Sequence, residues 1–177
     1  MRLFVAILLS DPIKDMLMQT IRQLQPAVLD GRFSHRENLH LTLAFLGESS
    51  LKPAQQVLHQ LSGPSFAMTV EGFGRFRRDG GDILWAGVRK NPDLSALAQQ
   101  VQLAFSQKGF SLEKRPFAAH LTLGRQVLLP EGFNLKAFSK MLPRHRTGAD
   151  YQQGPVPHGG SGQRAADLHR DGLCGIE

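Results

Sequence analysis

His-Leu-Thr-Leu occurs twice in the chain, at 40–43 and at 120–123, each time inside an apolar run. Side chains alternate across a strand, so His40 and Thr42 share one face while Leu41 and Leu43 take the other. His120, Thr122, Leu121 and Leu123 divide in the same way. Each copy therefore offers an imidazole and a hydroxyl on one side and core on the other. Alternate residues lie about 6.7 Å apart along a strand, so the two copies could bracket one phosphate if an internal two-fold laid them side by side. The chemistry this set suits is the opening of a cyclic phosphate ester. A base takes a proton from water, an acid protonates the departing oxygen, and donors meet the charge on the non-bridging oxygens. Histidine fits both proton-transfer roles, because an ordinary pKa of about 6.5 lets one ring be neutral and the other protonated at one pH.

A single histidine in an apolar strand is more often a core residue than a catalyst. Two unrelated core histidines, however, have no reason to share Thr two residues on and the same leucine frame, and the recurrence favours a joint site. A protein-held metal needs more ligands than two histidines, and no Asp, Glu or Cys falls on those two faces, so no metal and no cofactor is expected. The strained five-membered ester does not require one.

Other residues have weaker claims as substrate contacts. Arg125 comes three residues after Thr122 and points to the opposite face of a regular strand, but a break at Gly124 would turn it toward a phosphate. Arg75, Arg77 and Arg78, interleaved with Phe73 and Phe76, could hold an RNA backbone and stack a base, or form a solvated hairpin tip. Trp85 reads as core or as a base platform, and Phe45 as a contact beside the first motif. His35, His59, His145, His158 and His169 lack the Thr partner and read as surface residues. Gly72 and Gly74 lie beside a strand without opening a helix, so they form no dinucleotide fingerprint.

The elements that must carry the two motifs follow from periodicity and punctuation. A strand over Arg2 to Leu9 runs into Ser10-Asp11-Pro12, a helix start, and Ile13, Met16, Leu17, Ile21 and Leu24 recur at helical spacing up to Pro26. The segment 32–38 is polar. Leu39 to Leu46 is a strand stopped by Gly47, and a short helix is expected over Pro53 to Leu61. Phe66 to Phe73 and Ile83 to Val88 form a hairpin around a basic, glycine-rich loop. Asn91-Pro92-Asp93 opens a longer helix closed by Gly109, Phe117 to Arg125 is the later counterpart of the strand at His40, and Leu135 to Leu142 is a last short helix.

The chain has 177 residues, 41% of them hydrophobic, enough for one domain with a core. Its lone cysteine, Cys174, excludes an intramolecular disulfide, and no stretch is long enough to span a membrane or serve as a secretion signal, so a cytoplasmic protein is expected. The net charge of +6 favours a polyanionic partner over an acidic surface. Residues 1–142 hold 17 Lys and Arg against 11 Asp and Glu, whereas 143–177 hold four of each, so all the excess lies in the body. After Pro143 the character changes: Arg144 to Glu177 carries seven glycines and no sustained period. Residues 1–142 are read as the domain, and 143–177 as a glycine-rich tail outside its core.

The paired strands, His-Leu-Thr-Leu-Ala-Phe-Leu-Gly and Ala-His-Leu-Thr-Leu-Gly-Arg, resemble the two-histidine (2H) phosphoesterase superfamily. The opening Arg2-Leu3-Phe4-Val5-Ala6, the motif spacing and Arg125 resemble, more narrowly, the RNA 2′,3′-cyclic phosphodiesterases, historically called 2′-5′ RNA ligases. The resemblance implies a bilobal α+β fold, two antiparallel sheets related by a pseudo-two-fold around a central groove, with helices outside. It also implies that His40 protonates the leaving 3′ oxygen and His120 activates water, leaving a 2′-phosphate, with Thr42 and Thr122 beside them. The implied partner is RNA ending in a 2′,3′-cyclic phosphate, tRNA fragments among them, met by a monomer away from any membrane. Three other readings stay open: 2′-5′ ligation, a non-catalytic RNA-end-binding module, and a phosphodiesterase for small cyclic nucleotides. Family members follow the last helix with two further strands, for which 143–177 shows no alternating pattern. A shift of reading frame near Pro143 would explain this, and it is wrong if neither other frame encodes such strands.

Overall fold

Seven consecutive apolar residues after Arg2 leave little choice but a central strand, and β1 (Arg2–Leu8) is buried from Leu3 to Ile7. The computed structural model describes residues 2–63, 66–113, 115–141, 145–149 and 173–176. Helix α1 (Asp11–Leu24) follows β1 with Ser10 at its N-cap position and Pro12 in its first turn, and Ile13, Met16, Leu17, Ile21 and Leu24 are buried as their spacing requires. Strand β2 (Asp30–Phe33) overlaps the start of the stretch that reads as polar; its signal in the sequence is a single apolar residue, Phe33. One turn of 3-10 helix, Arg36–Asn38, then leads into β3 (His40–Glu48).

Helix α2 (Leu51–Leu58) begins two residues before the expected Pro53. The hairpin is β4 (Phe66–Phe76) and β5 (Asp82–Val88). Helix α3 (Pro92–Gln107) is capped by Asn91, whose side chain accepts hydrogen bonds from the backbone N–H of Asp93 and Leu94. Gly109 ends it with φ of +82°, the left-handed conformation that glycine adopts without strain. Strand β6 (His120–Leu128) carries the second motif, and α4 (Leu135–Met141) follows.

The strands form two antiparallel sheets among the described residues, ordered β3-β1-β8 and β2-β6-β5-β4-β7, as expected of an α+β fold with one motif in each sheet. Strands β7 (His145–Ala149) and β8 (Leu173–Ile176) pair with β4 and β1. Both fall in the stretch read as a tail, where the sequence pattern gives no hint of them; the rest of 143–177 lies outside the described residues. The inward faces of both sheets and of α1, α2 and α3 meet in one hydrophobic core. No helix among the described residues is long and apolar enough to cross a membrane.

Candidate active site

The two motifs are set in the same frame. On β3, His40, Leu41 and Thr42 stand opposite Leu8, Ile7 and Ala6 of β1. On β6, His120, Leu121 and Thr122 stand opposite Gly87, Ala86 and Trp85 of β5. Directly after each threonine the register slips by one: Leu43 and Ala44 together face Val5, and Leu123 and Gly124 together face Leu84. Such a bulge reverses which face the following residue takes. The burial pattern is the same in both motifs, with the histidine and threonine half-buried, both leucines and the residue after the second leucine buried, and the next residue exposed. A regular strand would send Phe45 and Arg125 into the core. The bulges bring them out on the side of the imidazoles.

That side is one groove of about 1140 Å³ shared by the two sheets, and His40, Thr42, Phe45, His120, Thr122 and Arg125 all line it. Each imidazole is tied to the backbone two residues earlier. The Nδ1–H of His120 donates to the carbonyl of Ala118 at 2.7 Å, which leaves the lone pair of the neutral ring on Nε2. His40 makes a backbone hydrogen bond with Asn38. Its ring lies on that of Phe4, centroids 4.6 Å apart and planes 26° from parallel. Burial holds the pKa of His40 below its ordinary value, and the positive charges of Arg125 and Lys14 lower it further, against the raising effect of the Asn38 bond.

The remaining expected contacts separate. Arg75 is ion-paired with Asp82 at 2.9 Å, and Arg77 is exposed on the hairpin loop; neither is among the groove's lining residues, whereas Arg78 is. Trp85 also lies off the lining, packed behind His120. His35 is exposed, as a surface histidine should be, but at the rim of the groove; His59 is exposed elsewhere, and the side chains of His145, His158 and His169 lie outside the described residues. Several lining residues had no signal of their own in the sequence, Arg32 and Phe4 among them. Arg32 enters because β2 sets it opposite Arg125, and Phe4 because β1 sets it opposite Phe45. Both placements depend on strand pairings far apart in the chain.

A family model for the 2′-5′ RNA ligase superfamily matches residues 11–152. The RNA 2′,3′-cyclic phosphodiesterase of Thermotoga maritima is 33% identical over 137 residues, covering 74% of this chain and 73% of that protein. The enzyme of the same name from Escherichia coli is 34% identical over 143 residues, covering 75% and 79%. Among solved structures, Escherichia coli LigT complexed with 3′-AMP superposes with a TM-score of 0.66 at 27% identity, over 87% of this chain and 91% of the other.

Proposed function

The chain belongs to the 2′-5′ RNA ligase superfamily, and on that footing we propose that it hydrolyses the 2′,3′-cyclic phosphate at the end of an RNA to a 2′-phosphate, by acid–base catalysis with two histidines. The observation that carries the reading is the common groove: two imidazoles and two hydroxyls from matched strands open onto it, beside the guanidinium of Arg125. The relatives named RNA 2′,3′-cyclic phosphodiesterase support the substrate.

In this mechanism Nε2 of His120 takes a proton from water, and the water oxygen bonds to phosphorus. The bond from phosphorus to the 3′ oxygen breaks, and His40 gives that oxygen its proton. Water and cyclic diester thus become a 2′-phosphomonoester and a free 3′-hydroxyl. Thr42 and Thr122 donate to the non-bridging oxygens, and Arg125 balances the charge that builds there. In the empty groove, burial and Arg125 oppose the protonation of His40. A bound phosphodiester anion offsets both effects, so the substrate itself helps to load the acid. Both halves of the site come from one chain, which supports action as a monomer, and fragments cut from tRNA are RNAs of the fitting end chemistry.

The test is hydrolysis of a short oligonucleotide with a 2′,3′-cyclic phosphate end, with EDTA present and the product phosphate located by its chromatographic position. A 2′-phosphate product, with activity reduced about 10²- to 10⁴-fold in His40→Ala and in His120→Ala, is expected. Retention of activity by either variant would refute the two-histidine mechanism, and loss of activity to the chelator would refute its independence of metal. A product joined to an added 5′-hydroxyl RNA in preference to hydrolysis would favour ligation.

A further inference from the structure

His120 has an aromatic wall behind it that the groove's lining does not use. Its ring meets Phe76 edge-on, centroids 5.0 Å apart at 89°, and meets Trp85 at 6.4 Å and 62°; Phe76 and Trp85 are themselves 5.3 Å apart. Trp85 stands opposite Thr122, and residues directly opposite each other in antiparallel strands project from the same face, so the indole shares the side of the sheet that carries Thr122 and His120. On its other flank, Trp85 stands opposite Gly74 of β4. A Cβ on Gly74 would lie 2.3 Å from both Cη2 and Cζ2 of the indole, a distance that no real side chain tolerates. Gly74 is not among the residues of positive φ, so crowding by the indole, not backbone conformation, accounts for the glycine.

Two further observations separate this wall from ordinary packing. The indole Nε1–H is buried without a hydrogen-bond partner among the described residues, a cost to folding that phenylalanine at the same place would not carry. The other half of the molecule also does without such a residue: where Trp85 faces Thr122, Ala6 faces Thr42, and His40 takes its aromatic contact face-on from Phe4. A single hydrogen bond to Ala118 fixes where Nδ1 of His120 sits but leaves the ring free to tilt about it. The wall removes that freedom.

We propose that Trp85 is a positioning residue for the hydrolysis: with Phe76 it holds the His120 imidazole at its working tilt, and Gly74 exists to let the indole lie flat enough to do so. The inference rests on the reading of His120 as an acid–base group. A misplacement on the order of 1 Å can cost about 10²-fold in rate, and the effect belongs in kcat, since the indole does not line the groove.

The experiment compares Trp85→Phe, Gly74→Ala and the double variant in the full chain. It measures kcat and KM for a cyclic-phosphate-ended oligonucleotide, the thermal midpoint, and the NMR shifts of the His120 ring protons. Trp85→Phe is expected to keep or raise the thermal midpoint, to hold KM within about twofold, and to lose about tenfold in kcat while the His120 signals move. Gly74→Ala is expected to lose kcat to a similar degree, and to add little once phenylalanine replaces the indole, because the two act as a unit. An unchanged kcat in Trp85→Phe, a loss that appears only in KM, or full additivity of the two changes would overturn the proposal. His120→Ala is the control: if it retains hydrolysis, the acid–base reading itself fails; if it is inactive while Trp85→Phe is fully active, only the positioning role does.

Discussion

Phe45 and Arg125 hold the same place in the two halves of the groove. Each lies five residues beyond its histidine, and each is turned outward by a bulge between the threonine and itself. One half thus ends in a ring and the other in a guanidinium, and the two should fail differently. Arg125→Gln removes the charge-assisted contact proposed for the reacting phosphate, of about 1.5–3 kcal/mol, and is expected to lower kcat/KM by roughly tenfold or more. Phe45→Ala removes a surface on which a base can stack, about 1–3 kcal/mol per base, and is expected to raise KM while sparing kcat. Steady-state kinetics on a cyclic-ended oligonucleotide distinguishes the two.

The titration of His40 offers a test independent of turnover. In the free protein its imidazole is expected to titrate below 6.5, because burial, Arg125 and Lys14 all disfavour the protonated ring. Arg125→Gln takes away one of those effects, so the midpoint should rise. Addition of a nucleoside 2′-phosphate supplies negative charge and should raise it as well. If protonated His40 is the form that substrate requires, kcat/KM falls as pH rises through the lowered value, and the fall moves to higher pH in Arg125→Gln. Histidine ring signals followed by NMR from acid to neutral pH check this, and a midpoint at or above the ordinary value would contradict it.

Neighbouring residues on opposite faces of β3 should separate stability from activity. Leu41 is fully buried, whereas His40 opens onto the groove. Leu41→Ala is expected to cost about 2–5 kcal/mol in urea unfolding, the range for a leucine cavity in a packed core. His40→Ala should cost far less while reducing hydrolysis about 10²- to 10⁴-fold. Equal losses of stability would mean that the alternation across this strand has been misassigned.

Gly81 presents a different constraint. Its φ of +104° suits only glycine, and a Cβ there would meet the carbonyl carbon of Gln126 at 2.6 Å, where Gln126 itself has φ of +53°. Gly81→Ala is expected to destabilise the protein by about 1–3 kcal/mol and to disturb the groove, since Arg125 precedes Gln126 and both line it. Thermal unfolding together with the kinetics of the same variant checks both effects.

The strands that carry chemistry were legible because His-Leu-Thr-Leu displays its two faces in four residues. Helices α1 and α3 were legible through their apolar spacing and their start signals. The pairings were not, because registers such as Arg32 with Arg125 join segments distant in the chain, and nothing local marks them. For the same reason Trp85 could be read as core or platform but not as the neighbour of His120, and Arg75 could be read as a phosphate contact although Asp82 holds it. The bulges do leave a trace. Leu43-Ala44 and Leu123-Gly124 each interrupt an otherwise regular alternation, and a possible break at Gly124 was the one local hint of where Arg125 would point. Strands β7 and β8 left none, since 143–177 lacks alternation.

The paired bulges also act on assembly. A strand slipped by a single residue would drive His40 and Thr42, or His120 and Thr122, into hydrocarbon and turn leucines to water, while the odd residue at each kink would find no matching gap in its neighbour. Misaligned molecules are thereby penalised and disarmed together. Recovered turnover after refolding consequently counts the chains whose strands have found their proper partners, without any separate probe of conformation.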